Sequence, residues 1–254
     1  MSHIIQKIPF ISQLEKYPTG CESVSAVMAL AYRGVQVTVE EFIDDYLPKG
    51  PAPQPDQSDE TSSRTVAGQD ETSTPAVPVL VGPDPWEVFP GDPYTSHGWG
   101  CFAPALKKAI EKCLEKKGSG LKPIDIYHTS IETLCRDYID RDIPVIFWAT
   151  IGMVPAHESL VWRTVKTESS DPSALDQAPR STSRIIHWMS PMHCTLLIGY
   201  ETASTDADTG AEGAPATITH YIFNDPTSGE RAVFPAKTVE EAYHAQGEQA
   251  LVLI

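Results

Sequence analysis

Cys21, His193, Asp225 and Gln13 carry the side chains needed for acyl transfer through sulfur. Cys21 falls at the start of the run GCESVSAVMALAYR, over 20–33. Val24, Val27, Met28 and Ala31 recur there at helical spacing. Thr19 and Glu22 read as a capping box with Pro18 just outside it, which places Cys21 in the first helical turn. Unpaired backbone N–H groups and the positive end of the helix dipole favour a thiolate at that position. Taken alone, a free Cys more often packs as a small hydrophobe.

A nucleophilic thiol needs a base, and the chain has eight histidines. Two segments read as strands, 193–200 (HCTLLIGY) and 218–225 (ITHYIFND). Paired as an antiparallel hairpin, they set the start of the first beside the end of the second. The midpoint of 193 and 225 is 209, the middle of the polar connector 202–217. That register brings His193 and Asp225 together at one sheet edge, where a carboxylate fixes an imidazole tautomer and stabilises the imidazolium. Asn224 would point to the opposite face. Singly, His193 reads as a strand-end residue and Asp225 as the start of an Asp-Pro turn. Their joint placement with a helix-start Cys is what points to chemistry. Gln13, eight residues before Cys21, would pair its side-chain amide with the Cys21 N–H as donors to an oxyanion.

Other segments supply the scaffold. A second helix is expected at 38–47 from Thr38, and Gly34 ends the first. Helices follow at 103–117 and, capped by Ser130, at 131–141. IPVIFWATI, 143–151, reads as a buried strand and QALVLI as the last one. Residues 49–80, rich in Pro, Ser, Thr, Asp and Glu, read as a flexible insertion, and 163–184 as a polar loop. Helices precede most strands, which implies an α+β fold. Cys194 is expected to be a core thiol facing away from the site, and Cys101 a packed turn residue. Trp99, Trp148 and Trp162 are expected in the core, with Trp188 placed to shield the His193–Asp225 pair.

The totals exclude several classes. The net charge of −15 and the lack of Lys/Arg clusters exclude a nucleic-acid binder. A hydrophobic fraction of 41% suffices for a core. Five cysteines form no CxxC and no zinc-spaced run, and the spacing of His187 and His193 suits no metal on one element, so none is expected. No run approaches a membrane span, and the N-terminus lacks an apolar signal region. A cytoplasmic location is therefore expected for the chain as given, and an extracytoplasmic one if a leader has been removed.

The run PFISQ, 9–13, followed by YPTGCESVSAVMAL resembles the bacterial family 39-like cysteine peptidases, relatives of the bacteriocin-processing peptidases. The likeness continues through VFPGDPYTSHGWGCFAPAL (88–106), PVIFWATIGM (144–153), MHCTLLIGY (192–200) and FNDPTSG (223–229), in family order. It implies a single papain-like catalytic domain over 1–254, with the 49–80 insertion. It also implies Cys21 as nucleophile, His193 as base, Asp225 as orienter and Gln13 in the oxyanion hole. The implied reaction is hydrolysis of a peptide or amide bond through a thioester, with a peptide or protein substrate and no cofactor. Met192 stands where many relatives carry an acidic residue, and 49–80 is longer than expected. An acyltransferase of transglutaminase type and an idle peptide-binding module are the competing readings. Oligomeric state is not legible.

Overall fold

The structure is a computed structural model, described here for residues 2–56, 80–165, 183–203 and 217–254. Its main sheet has the strand order β12–β11–β10–β7–β13–β6, and every pairing is antiparallel. These strands are β6 (Pro123–Tyr127), β7 (Val145–Thr150), β10 (Met192–Thr202), β11 (Ile218–Asp225), β12 (Gly229–Pro235) and β13 (Gln249–Leu253). The short β1 (His3–Ile4) pairs with the far end of β10. Mixed helix and antiparallel sheet make this an α+β fold, as the sequence implies.

All six residues of β7 are buried. Alternation along the strand explains why. Phe147 faces α5 (Ala236–Ala245), where it stacks on Tyr243 with ring centroids 4.5 Å apart. Trp148 faces the other way, and its Nε1 donates to the Cys101 carbonyl at 2.9 Å, just before α3 (Ala103–Lys116). Helix α1 (Cys21–Tyr32) packs against β10 and β7. Central strands covered on both faces read as continuous apolar runs, which is how VIFWAT betrayed itself.

The expected helix over 20–33 is α1, buried from Cys21 through Leu30. Its C-terminus closes as a Schellman motif: Gly34, at φ +82°, donates to the Ala31 carbonyl, and Val35 N–H reaches back to Leu30 O at 2.9 Å. The expected capping box at its N-terminus is absent. Gly20 is the cap residue, with no side-chain cap bond. Thr19 Oγ1 instead donates to the Thr95 carbonyl at 3.0 Å, and Glu22 turns inward. The Thr38 cap is present, accepting from Glu41 N–H at 3.1 Å, but the α-helical part (α2, Val39–Glu41) gives way to one wide turn at Phe42–Tyr46. Ser130 caps α4 (Ile131–Asp137), which is shorter than the expected 131–141 because a 3₁₀ turn takes over at Ile139–Arg141.

A second sheet went unread in the sequence. It runs β3 (Gln54–Pro55), β4 (Leu80–Gly82), β8 (His157–Thr164) and β9 (Ile185–Ser190). The residues expected to form a flexible insertion thus contribute β3 and β4, and also β2 (Lys49–Gly50), paired with β5 (Phe89–Pro90). The loop expected at 163–184 begins later, because β8 continues to Thr164. The remainder of these expectations, at 57–79, 166–182 and 204–216, lies outside the described residues. An aromatic cluster of Trp99, Phe102, Trp162 and Trp188 carries this sheet against the main body. Because β9 runs directly into β10, the second sheet also sets where Met192 and His193 begin.

Phe147→Ala should destabilise the protein by about 3–5 kcal/mol, since it removes a buried ring stacked on Tyr243 and tilted against Phe223. Chemical denaturation checks this; a loss under about 1 kcal/mol would contradict the packing of α5 on β7.

Candidate active site

Cys21 is the first residue of α1, and it lines a cleft of about 210 Å³ together with Gln13, Trp99, Gly100, Trp188, Met192 and His193. The four residues singled out in the sequence are therefore gathered around one opening, with Asp225 directly behind His193.

His193 sits near the start of β10 and is 1% exposed. Its Nε2 lies 2.9 Å from Asp225 Oδ1 at the end of β11. The register that brings them together differs from the midpoint register. Leu196 pairs with Asn224, where the midpoint register sets it opposite Ile222. The strands are thus shifted by two residues. Because side chains alternate, a two-residue shift keeps His193 and Asp225 on the same face, and the contact becomes diagonal. Asn224 turns away as expected, accepting from Arg231 N–H at 3.2 Å.

Asp225 is fully buried and opens a tight turn. Its Oδ1 accepts from Thr227 N–H (2.8 Å), Thr227 Oγ1 (2.8 Å) and Ser228 N–H (3.0 Å), besides His193. Burial pushes this carboxyl up, but the His193 bond and charge, with the Ser228 and Thr227 donors, outweigh it and hold the group well below the usual carboxylate range. An ionised carboxylate only accepts, so His193 Nε2 carries the hydrogen and Nδ1 is left as the basic nitrogen.

Gln13 lies in the loop before α1. Its backbone N–H donates to the Pro226 carbonyl at 3.1 Å, clasping the turn that follows Asp225. Its Nε2 donates to the Pro18 carbonyl at 3.0 Å, which uses one amide hydrogen and leaves the second. The loop thus ties the Asp225 turn to the start of α1, and the candidate oxyanion donor to both.

The thiol differs from the expectation of a thiolate at a helix start. Burial first, then the charge of Glu22, push Cys21 well above the ordinary thiol value, and a Cys194 backbone N–H only partly offsets them. The expected helix effect is outweighed because the whole first turn is buried. Cys194 is a core thiol, but it belongs to the same electrostatic neighbourhood as Cys21, Glu22 and Cys101, not to a remote face. Cys101 is a packed turn residue, as expected, and its backbone joins two parts of the site: N–H to Glu22 Oε1 at 2.7 Å, C=O to Trp148. Glu22 reads in the sequence only as a capping-box residue, and Thr227 is not singled out there. Glu22 carried a signal, being the one charged residue in an otherwise uncharged stretch from Cys21 to Tyr32.

A helix-start Cys packed beside an antiparallel sheet that carries a buried His–Asp pair is the papain-like arrangement. The peptidase C39-like family model matches residues 5–251. The chain belongs to the peptidase C39-like family. A crystal structure described as a C39-like peptidase from Bacillus anthracis superposes with a TM-score of 0.67 at 21% identity, covering 100% of this chain and 98% of that one. A double glycine motif protease from an AMS/PCAT transporter, in complex with the leader peptide, gives a TM-score of 0.43 at 13% identity, covering 100% of this chain and 97% of that one. No curated protein gives a significant match.

Asp225→Asn should lower stability at neutral pH by about 3 kcal/mol, because it weakens a buried charge-assisted pair. The folded-state carboxyl is depressed, so its stabilisation is present above the unfolded-state value of about 4 and fades as the pH falls below it. Denaturation of both proteins across acidic pH should therefore show the gap closing below about pH 4. A gap constant with pH would contradict the pairing.

Proposed function

We propose that this protein is a cysteine peptidase that cleaves a peptide or amide bond through a thioester, with Cys21 as nucleophile. The observation that carries this reading is the buried Nε2–Oδ1 bond of 2.9 Å between His193 and Asp225, which leaves the other ring nitrogen of a cleft-lining imidazole basic. A purely structural His–Asp pair would have no need of a cleft shared with a helix-start thiol.

The steps follow from these positions. Because the resting thiol is held protonated, deprotonation belongs to acylation: the Cys21 proton passes to His193 Nδ1 as Sγ attacks the scissile carbonyl carbon. The ionised Asp225 stabilises the imidazolium that forms. The second Gln13 Nε2 hydrogen and the Cys21 backbone N–H donate to the oxyanion. His193 returns its proton to the leaving amine, the C–N bond breaks and a thioester remains. Water then loses a proton to His193 and attacks the thioester, releasing the acid and restoring the thiol. Apart from His193, the cleft residues are uncharged, with Trp99, Trp188, Met192 and Ile151 on its walls, so the accepted substrate is an extended peptide with uncharged side chains near the cleaved bond.

A peptide-library digest read by mass spectrometry tests the reading. The wild type should release products, and Cys21→Ala should release none while keeping its circular dichroism spectrum. Full cleavage by Cys21→Ala would overturn the assignment.

Gln13→Ala should lower kcat by about 10²-fold with KM little changed, the pattern of an interaction made only in the transition state. Steady-state kinetics on a released peptide checks it. A rise in KM at constant kcat would assign Gln13 to substrate binding instead.

A further inference from the structure

Glu22 is buried completely, one residue after the nucleophile. Its Oε1 accepts from Cys101 N–H at 2.7 Å and its Oε2 accepts from the Cys21 thiol at 3.4 Å. Neither partner carries a positive charge. Burying a carboxylate whose two hydrogen-bond partners are neutral is costly, and a buried helix position is filled more readily by an apolar side chain. The chain is nevertheless shaped around this group. Gly100 takes φ +94°, and a Cβ there would lie 2.1 Å from Met192 Cε and 2.5 Å from Glu22 Oε1. Residues 100–101 thus pack closely on the carboxylate, beside the Met192 side chain. No catalytic step above uses Glu22, and no cap bond explains it.

We propose that Glu22 is a positioning residue that restrains the nucleophile: as a carboxylate it holds Cys21 as the S–H form through the Oε2 bond, and on neutralisation it releases the thiol for transfer of its proton to His193. The inference rests on the reading of Cys21 as nucleophile and deepens it.

The electrostatics act in both directions. The groups facing Glu22 are Cys21 on its own helix, Cys101 from the turn before α3, and His193 and Cys194 from β10. An anion beside sulfur opposes a second anion there. Burial raises the Glu22 carboxyl to about 6, against lowering by the backbone donors, the Cys21 thiol and the His193 charge. Glu22 and Cys21 therefore titrate as a coupled pair. Once protonated, the Glu22 carboxyl can donate an O–H to sulfur, so the same contact changes from holding a thiol to stabilising a thiolate.

The test is the pH dependence of Cys21 alkylation by iodoacetamide, read by peptide mapping in wild type and Glu22→Gln. Gln preserves size and the acceptor for Cys101 N–H, and it removes the charge. The midpoint for Cys21 should fall by about one to three pH units in Glu22→Gln, with alkylation at slightly alkaline pH at least about tenfold faster. A merely structural Glu22 would leave this midpoint unmoved, and that result overturns the restraint. A second measurement needs no change at Glu22: carbon-13 titration of its carboxyl in wild type and Cys21→Ala. Loss of the S–H donor should raise the Glu22 midpoint; equal midpoints overturn the proposal. Peptide cleavage that persists in Cys21→Ala would instead overturn the peptidase reading, and the two failures are thereby separate.

Discussion

The bond between His193 and Asp225 is the constraint to which the rest of the molecule is fitted. Both partners are buried, so neither can exchange the other for water. Burying a carboxylate is costly, and strong donors offset that cost. Asp225 is served by the imidazole and by the turn through Thr227 and Ser228. The turn is held in place by the Gln13 backbone, and Gln13 leads into α1, where the thiol begins the helix. His193, Asp225, Gln13 and Cys21 are thus linked through side-chain and backbone hydrogen bonds.

A second constraint is the dryness of the first turn of α1. Dry surroundings strengthen every charge interaction in the site. They also push the Cys21 thiol well above its ordinary value and raise the Glu22 carboxyl. Any proton exchange there is confined to a few neighbouring groups. This differs from an exposed thiol at a helix start, where the dipole alone would favour a thiolate.

Much of this was legible in the sequence, and the exceptions have physical reasons. The α1 helix and β7 were readable because their burial leaves continuous apolar patterns. The His193–Asp225 pairing was readable even though the inferred register was two residues off. Side-chain alternation forgives an even shift, and an odd one would have separated the pair. The capping box was misread because its spacing matches a local motif, while the decisive partner of Glu22, Cys101 N–H, lies far along the chain. The sheet of β3, β4, β8 and β9 was hidden for a similar reason. Its strands are short or mixed in polarity, and the aromatic residues that anchor it come from separate segments. Helix α5 showed only a modest stripe, Val239, Ala242 and Tyr243, within a polar run. Tertiary contacts decide such elements, and a local pattern does not carry them.

The most direct test of the central claim is the site of covalent capture by a peptidyl vinyl sulfone, read by intact mass and peptide mapping. The account predicts a single adduct on Cys21 that is lost in His193→Ala. Adducts spread over Cys21, Cys101, Cys113, Cys135 and Cys194, or a Cys21 adduct that forms equally well without His193, would contradict it.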